Sequence, residues 1–242
     1  MRKMGLTDMY TDGTYFKKNP TWDTADSPWK AGLISSIIKK NKIEVSEIAD
    51  VGCGAGAVLL ELEKLHPSVK KFTGYDISPD AIKLAAARTS EKTGFYQADF
   101  INHTDTGKKE LLLVIDVLEH VEDYYGFARQ LNAKGDYFVF HIPLDLSCRT
   151  LLKPHVLLQQ RESVGHLHYF SRDMIFWLLK DTGYHLLDWH YTKPMGDILP
   201  ATNSWQGIKK TGRNIFFRLS KRLSDKLWGG YSMLILAKRN DG

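Results

Sequence analysis

The chain has 242 residues, a length that fits one α/β domain with some added segments, and its 43% hydrophobic and 25% charged residues are ordinary for a folded globular protein rather than a disordered chain. Its formal net charge of +5 is modest, and we expect no nucleic-acid partner from it. The two cysteines, Cys53 and Cys148, are too few for a disulfide framework and predict a cytoplasmic protein. No stretch approaches the roughly 18 apolar residues that cross a bilayer, and the start of the chain lacks the apolar core of a secretory signal.

The first 41 residues are rich in aromatic side chains and turn formers, and they lead into one amphipathic helix. Within residues 30–40 the apolar side chains recur at helical spacing, as Leu33, Ile34, Ile37 and Ile38. We therefore predict an N-terminal cap followed by a first helix. The aromatic and basic residues of this lead segment are Tyr10, Tyr15, Trp22, Trp29 and Lys30. A helix packed on the sheet edge, with exposed aromatics, is the alternative.

From residue 47 to residue 143 the pattern alternates between strands and helices. Strands are predicted at 48–51, 71–76, 94–98, 111–115 and 136–142, and helices between them at 57–65, 81–88 and 122–131. The run 111–115 is continuously apolar, as in a strand that is buried on both faces. This alternation predicts right-handed crossovers and a parallel sheet.

The pattern changes after residue 143. We predict an inserted helix at 151–161, a further helix at 172–180, and strands at 184–191 and 231–237. A long excursion, 192–228, separates the last two strands. An excursion of that length in a compact domain usually carries function or extra structure.

A glycine-rich turn follows the first strand at residues 50–56, which read Asp-Val-Gly-Cys-Gly-Ala-Gly. Glycines let a backbone approach a ligand closely, and the following helix presents free N–H groups and the positive end of its dipole. The turn alone does not identify the ligand, because Gly52, Gly54 and Ala57 also satisfy the G-x-G-x-x-G/A pattern of nicotinamide cofactors.

Acidic residues follow the next three strands. Asp76 comes about twenty residues after the glycine turn, which is the spacing of an acid that binds ribose hydroxyls. At the end of the third strand, Asp99 can accept from an adenine amino group while the ring of Phe100 packs beside the base. The fourth strand is followed by residues 116–121, Asp-Val-Leu-Glu-His-Val, at the edge where ligands bind in doubly wound sheets.

In this order the segments resemble the class I S-adenosylmethionine-dependent methyltransferases, and in particular their small-molecule and ubiquinone-biosynthesis-like group. Residues 50–56 look like motif I, 75–78 like motif II, 98–100 like the adenine motif, 116–121 like the motif after strand four, and 165–171 like the loop before the helix that precedes strand six. The resemblance implies a Rossmann-like, doubly wound sheet of seven mostly parallel strands with an antiparallel last strand. It also implies one methyltransferase domain over 1–242, made of a cap (1–41), a cofactor-binding core (42–143) and substrate-side insertions with the last strands (144–242).

The cofactor that the resemblance implies is S-adenosylmethionine, and the implied function is transfer of its methyl group to a small-molecule acceptor. The residues expected to bind it are Asp50, Gly52, Cys53, Gly54, Gly56, Asp76, Ile77, Asp99, Phe100, Asp116 and Val117. The glycines would line the methionine part and Asp116 would lie near the methionine amino group. Proteins of this family often cover the active site with an N-terminal cap, which is the role we expect for the aromatic lead segment.

The cofactor supplies the reactive methyl group, so the sequence says little about catalytic side chains. We expect His120 or His166 to assist removal of a proton from the acceptor, because both fall at the predicted mouth of the site. The other candidates for a base are His141, His168 and Tyr169. No metal site is expected, because no acid or cysteine completes a ligand set at a recognisable spacing.

The sequence leaves other functions and partners open. An RNA or protein methyltransferase is the alternative acceptor class, although the chain has no recognisable RNA-binding module and lacks the Asn/Asp-Pro-Pro-aromatic motif of enzymes that methylate base amines. A NAD-binding oxidoreductase and a non-catalytic cofactor-binding scaffold are alternatives from other classes. Basic and apolar residues interleave at 208–227, which predicts an amphipathic helix packed on the domain, a contact with a membrane or lipid-linked substrate, or a phosphate-rich partner.

Overall fold

A computed structural model describes residues 8–22, 24–103, 107–194 and 204–240. Its centre is a seven-stranded sheet in the order β3-β2-β1-β4-β5-β7-β6. The strands are β1 Glu47–Val51, β2 Lys71–Asp76, β3 Thr93–Gln97, β4 Lys109–Ile115, β5 Gly135–Leu144, β6 Tyr184–Thr192 and β7 Tyr231–Arg239. The first five strands pair in parallel, whereas β7 runs antiparallel to both β5 and β6. The predicted fold class, a mostly parallel Rossmann-like sheet with an antiparallel last strand, is confirmed.

Helices surround this sheet and connect its strands. They are α1 Asp8–Thr11, α2 Thr14–Lys18, α3 Ser27–Lys40, α4 Ala57–Leu65, α5 Pro79–Ala86, α6 Tyr124–Asn132, α7 Cys148–Leu152, α8 His155–Ser163, α9 Arg172–Asp181, α10 Ser204–Leu219 and α11 Lys221–Trp228. Short 3-10 turns lie at Thr24–Asp26 and Leu118–His120. The start of α5 shows why the chain turns helical there. The Ser78 hydroxyl accepts from the Ala81 N–H at 3.3 Å, and Pro79 supplies a preset φ in the first turn.

The core lies on both faces of the sheet, because successive side chains of a strand point to opposite sides. Leu112 and Val114 of β4 belong to one buried cluster, whose other members include Phe138, Phe140, Ile175 and Leu178. Leu111 and Leu113 belong to the other cluster, with Ile34, Ile37, Leu59, Leu62 and Phe72 among its members. The continuously apolar run in β4 is therefore explained by burial on both faces.

The insertion after β5 differs from its prediction. The structure divides the single helix predicted at 151–161 into α7, which ends at Leu152, and α8, which begins at His155. Pro154 lies between them and cannot donate a backbone hydrogen bond. The residue before it, Lys153, has φ −130° and ψ 66°, outside the helical region, as expected before a proline. The prediction of one helix was wrong because apolar spacing was followed across the proline.

Two helices, α10 and α11, occupy much of the predicted excursion 192–228, whose residues 195–203 lie outside the described part of the chain. Ser220 lies between the two helices and is the N-cap of α11, because its hydroxyl accepts from the Leu223 N–H at 3.2 Å. Gly229 and Gly230, with φ of 62° and 72°, then turn the chain into β7. None of the helices in the described ranges combines the length and the apolar character that crossing a bilayer requires.

Leu112 provides a test of the core, since its side chain on the central strand β4 is 0% exposed. We expect Leu112→Ala to lower the free energy of unfolding by about 2–5 kcal/mol, because buried methyl groups are lost and a cavity remains. Urea unfolding followed by circular dichroism measures the change. The control is Leu152→Ala, whose side chain is 83% exposed and whose loss should cost less than about 0.5 kcal/mol. Equal losses in both variants would contradict this placement of the core.

Candidate active site

A cavity of about 500 Å³ opens at the carboxyl ends of β1, β2 and β4. Its volume is in the range of pockets that enclose a small ligand or cofactor. The predicted site residues that line it are Asp50, Gly52, Cys53, Gly54, Asp76, Ile77, Asp99, Phe100, Asp116, Val117 and His120. Two predicted residues lie elsewhere among the described residues: Gly56 is the N-cap of α4, and His166 packs against His120.

The glycine turn is shaped by a left-handed backbone and a close contact. Gly52 has φ 77°, and a Cβ at this position would lie 2.7 Å from Cγ2 of Val117. A side chain there would therefore push the turn after β1 away from the turn after β4. The same turn brings the Gly54 N–H within 2.9 Å of Oδ2 of Asp76, at the end of β2. The ends of three strands are thus held together around the cavity.

Asp76 is buried and braces two turns at once. Its Oδ2 accepts from the Gly54 N–H at 2.9 Å, and its Oδ1 accepts from the Ser78 N–H at 2.8 Å. Burial raises the pKa of Asp76, and these backbone hydrogen bonds counter part of the rise. A carboxylate oxygen can accept more than one hydrogen bond, so the predicted role toward ribose hydroxyls is compatible with both contacts.

Asp50 is a buried acid at the end of β1, with 2% of its surface exposed. Its Oδ1 has no hydrogen-bond partner among the residues that the structure describes. Burial and repulsion by Asp76 raise the pKa of Asp50 to about 7, although Lys30 opposes the rise. A buried acid that the fold leaves partly unpaired is a group that a bound cation or donor would satisfy.

Asp116 follows β4 with a positive φ of 55° and joins three parts of the chain. Its Oδ2 lies 2.9 Å from Nζ of Lys30 in α3, and its Oδ1 accepts from Nδ1 of His141 in β5 at 2.7 Å. Lys30 also pairs with Asp26 at 3.1 Å. Burial opposes ionisation of Asp116, but the charges of His141 and Lys30 outweigh it and hold the pKa of Asp116 well below its usual range. The sequence marked Lys30 only as a cap residue, and no spacing in the chain connects it with Asp116.

Asp99 and Phe100 form a further part of the wall after β3. Asp99 is exposed, and its carboxylate accepts from the Ile101 N–H at 3.0 Å and from Nδ2 of Asn102 at 2.7 Å. Phe100 is buried, with its ring centroid 5.0 Å from that of Tyr75. An exposed carboxylate that can accept hydrogen bonds, beside the buried ring of Phe100, suits the predicted adenine subsite. The Asp99 carboxylate also stabilises the turn in which it lies.

Three aromatic side chains of the N-terminal segment line the cavity, namely Tyr10, Tyr15 and Trp22, and we call them the aromatic row. Their successive ring centroids are 5.1 and 4.7 Å apart. At one end, Oη of Tyr10 lies 2.8 Å from Nδ1 of His120. At the other end, a Cβ at Gly54 would lie 3.5 Å from the Trp22 ring. The aromatic lead segment therefore lies directly on the cavity.

The two predicted catalytic histidines are neighbours, with His120 on the cavity wall and the ring centroid of His166 5.1 Å from it. Burial and repulsion by His166 lower the pKa of His120 to about 4. A base with so low a pKa accepts protons weakly at neutral pH. The geometry thus brings the two histidines together, while their role as general bases stays a prediction.

The remaining candidates for a base are engaged with other groups of the described chain. His141 contacts Asp116 and, through Nε2, the Thr192 hydroxyl at 3.0 Å. His168 lies with Nε2 3.1 Å from the Glu122 carbonyl oxygen. The Tyr169 hydroxyl donates to the carbonyl oxygen of Leu157 at 2.6 Å.

Glu119 is a residue that sequence reasoning did not weigh. It is 0% exposed and lies close to both histidines. Each of Glu119, His120 and His166 offers one possible ligand atom, and these three atoms lie within 4.8 Å of one another. His166 comes from a loop more than forty residues later, so no local spacing could reveal this group. The expectation of no metal site rested on spacing along the chain alone, so it did not consider this group, and it stays a prediction.

Comparison with curated proteins gives matches over part of the chain. The chain is 31% identical over 101 residues to the polyketide synthase ThaQ of Burkholderia thailandensis, a match that covers 38% of this chain and 5% of ThaQ. It is 33% identical over 86 residues to a release factor glutamine methyltransferase of Koribacter versatilis, covering 34% of this chain and 30% of that protein. The chain therefore spans less than two thirds of the length of either relative.

Solved structures match over nearly the whole chain, at identities that show the fold alone. The plantazolicin methyltransferase BpumL in complex with SAH has a TM-score of 0.61 at 17% identity, covering 97% of this chain and 93% of that one. The magnesium protoporphyrin IX methyltransferase of Synechocystis PCC 6803 with bound SAM has a TM-score of 0.62 at 12% identity, covering 99% and 100%. A family model described as a methyltransferase domain matches residues 31–188, which is well over half of the 242-residue chain. The chain therefore belongs to the methyltransferase-domain family, which confirms the predicted resemblance to class I S-adenosylmethionine-dependent methyltransferases.

Proposed function

We propose that this protein transfers the methyl group of S-adenosylmethionine to a small-molecule acceptor held in the cavity. The observation that carries the proposal is the meeting of a glycine turn with two buried acids, Asp50 and Asp76, at the carboxyl ends of neighbouring parallel strands. In doubly wound sheets this edge is where ligands bind. Membership of the methyltransferase-domain family supports the same activity.

The walls of the cavity offer subsites for the separate parts of the cofactor. Asp76 would accept the ribose hydroxyls, and Asp99 with Phe100 would hold the adenine. Asp50 would face the methionine ammonium group, because a cation beside its unpaired Oδ1 favours the ionised acid. The glycine turn and the N-terminus of α4 would face the methionine carboxylate. The rest of this wall is formed by Cys53, Ile77 and Val117.

Cavity size and the similar structures support a small acceptor. The aromatic row lines a cavity of about 500 Å³, which suits compact ligands rather than a folded partner. Two similar structures are of methyltransferases named for plantazolicin and for magnesium protoporphyrin IX. A protein side chain is the alternative acceptor, because one curated relative is a release factor glutamine methyltransferase.

The protein's part in the reaction is to align the acceptor with the methyl group and to exclude water, since the cofactor carries the activated methyl. The aromatic row supplies the apolar wall on the N-terminal side. His120 is positioned on the wall, yet its lowered pKa makes it a weak base at neutral pH. A hydroxyl acceptor would therefore need another means of ionisation.

Isothermal titration calorimetry with S-adenosylmethionine and S-adenosylhomocysteine tests the cofactor assignment. We expect both to bind, and Asp76→Asn to weaken binding about 10- to 100-fold, because the ribose loses hydrogen bonds to a charged acceptor. The control is Asp181→Asn at the exposed end of α9, which should bind as the wild type does. Heat with NAD but not with S-adenosylmethionine would favour the oxidoreductase. Binding without release of S-adenosylhomocysteine in a screen of acceptors would favour the non-catalytic scaffold.

The raised pKa of Asp50 predicts how cofactor affinity depends on pH. In the free protein Asp50 is protonated below about pH 7, and the cofactor ammonium favours its ionised form, so binding below that pH releases a proton. The affinity for S-adenosylhomocysteine should fall by up to about tenfold per unit below pH 7 and level off above it. Calorimetry between pH 5.5 and 8 measures the profile, and Asp50→Asn should flatten it. A flat wild-type profile would remove the assignment of Asp50 to the ammonium group.

Four helices expose apolar and basic side chains to solvent, and we call their exposed side the amphipathic surface. It consists of α7, α8, α10 and α11, of which α11 contacts both α7 and α10. Its exposed apolar residues are Leu151, Leu152, Leu158, Ile215, Leu219, Leu223, Leu227 and Trp228. Its basic residues include Arg149, Arg161, Arg218, Lys221, Arg222 and Lys226. We propose that this surface contacts the cytoplasmic face of a membrane. That face carries anionic lipids, which attract basic side chains, and the sequence predicts a cytoplasmic protein.

Co-sedimentation with lipid vesicles tests the amphipathic surface. We expect binding to vesicles that contain phosphatidylserine at low salt, and much weaker binding to vesicles of phosphatidylcholine alone. The double change Leu152→Ser and Leu219→Ser should weaken binding at least about tenfold, because each leucine contributes buried apolar area. The control is Leu187→Ser on β6, which lies outside this surface. Absence of vesicle binding at every salt concentration would refute the contact.

A further inference from the structure

Glu119, His120 and His166 form a compact group beside the cavity, which we call the Glu-His-His cluster. One ligand atom from each residue lies within 4.8 Å of the other two. The backbone holds its two segments together, because the N–H groups of Leu167 and His168 donate to the Glu119 carbonyl oxygen at 2.7 and 3.1 Å. The arrangement is therefore built into the fold.

The Glu119 side chain is completely buried, yet its carboxyl group has no hydrogen-bond partner among the described residues. The residue is 0% exposed, and both carboxyl oxygens are unpaired. Nε2 of His120 is 3.9 Å from Oε1, beyond hydrogen-bond distance. Burial and the charges of Asp116 and Asp145 raise the pKa of Glu119 well above its ordinary value. The position combines an unpaired acid with an excess of neighbouring negative charge, which a bound cation would relieve.

The ring of His166 is oriented by a carboxylate on one side. Its Nδ1 lies 2.9 Å from Oδ2 of Asp145, and Oδ1 of Asp145 accepts from Nε2 of Gln160 at 2.8 Å. Since a carboxylate only accepts, we assign the proton to Nδ1 of His166, which leaves the lone pair on Nε2. A carboxylate behind the opposite ring nitrogen is the usual support of a metal-binding histidine.

The ring of His120 is oriented in the same way by a carbonyl group. Its Nδ1 lies 3.2 Å from the Gly165 carbonyl oxygen and 2.8 Å from the Tyr10 hydroxyl, which itself donates to the Val164 carbonyl oxygen at 3.3 Å. A carbonyl oxygen accepts only, so we assign the proton of His120 to Nδ1 as well. Both histidines then present unprotonated Nε2 atoms, the form that binds metals.

We propose that the Glu-His-His cluster binds a divalent transition-metal ion, and that Zn²⁺ is the ion its two imidazole nitrogens and one carboxylate suit best. Ligand atoms on one tetrahedral Zn²⁺ lie about 3.4 Å apart, so a pair of atoms at the 4.8 Å limit would approach each other by about 1.4 Å on binding. Three protein ligands leave a position for a further ligand. Because His120 also lines the cavity, an acceptor bound there would approach that position from the cavity side.

The bound ion would select acceptors that carry a hydroxyl group, an inference that rests on the proposed methyl transfer. Coordination lowers the pKa of a bound hydroxyl, whose proton leaves to solvent. The oxygen lone pair then forms the O–CH₃ bond as the S–CH₃ bond breaks, and the electron pair of that bond stays on sulfur as the neutral thioether. The ion would thus supply the ionisation that His120, as a weak base, does not.

Metal binding to the full chain tests the proposal without any activity measurement. Protein freed of metal with a chelator is titrated with Zn²⁺ by calorimetry, and with Co²⁺ by its visible absorption. We expect one equivalent of Zn²⁺ to bind with a Kd below about 10 µM and to raise the Tm. Glu119→Gln and His166→Gln should each weaken binding at least about 100-fold, and Asp145→Asn about 10- to 100-fold.

The matched control is His168→Gln, which removes a histidine from the same loop and should leave Zn²⁺ affinity unchanged within about twofold. Circular dichroism verifies that each variant is folded, and the isosteric Glu119→Gln keeps the test informative if His166→Gln does not fold. A wild-type Kd above about 1 mM, or Zn²⁺ binding that survives both Glu119→Gln and His166→Gln, would overturn the proposal.

Titration of the same metal-free protein with S-adenosylhomocysteine separates the two assignments. Cofactor binding without Zn²⁺ binding would overturn the metal site and leave the proposed methyl transfer in place. Zn²⁺ binding that is lost in Glu119→Gln, without any cofactor binding, would support the cluster and count against the proposed function.

Discussion

The ion pair between Lys30 and Asp116 joins the N-terminal helix α3 to the end of the central strand β4, and the cavity takes its shape from that junction. The 2.9 Å contact anchors the first turn of α3, the helix that follows the aromatic row in the chain, and both Lys30 and the row line the cavity. On its other side Asp116 accepts from His141, which ties β4 to β5. The positive φ of Asp116 turns its carboxylate toward both partners, a backbone cost that such sites commonly carry.

Three further acids lie buried at the same end of the sheet, and each has a raised pKa. They are Asp50, Asp76 and Glu119. A fold selected for stability alone would replace such groups with apolar side chains, since burying an acid costs more than its hydrogen bonds return. Their concentration at one edge of the sheet is the electrostatic signature of a site for positively charged ligands. The methionine ammonium beside Asp50 and a metal ion beside Glu119 are the two cations that this signature fits.

The sequence predicted the parts of the structure that depend on local periodicity. The apolar run of β4 and the glycine turn after β1 carry their own signals, since burial on both faces and a left-handed backbone each require particular residue types. The break at Pro154 was missed because apolar spacing was given more weight than the proline. Neither the pairing of Lys30 with Asp116 nor the meeting of Glu119 with His166 was predictable, because only the closed sheet brings these distant segments together.

The aromatic row also has a consequence for ligand exchange. Trp22 packs against the glycine turn and Tyr10 reaches His120, so the row spans the cavity from the first strand to the turn after the fourth. If the cofactor occupies this cavity as proposed, the three rings form part of the wall that it contacts, and a displacement of the segment before α3 would open that wall. An opening step of this kind, if slower than the chemistry, would give acceptors of very different intrinsic reactivity similar maximal rates.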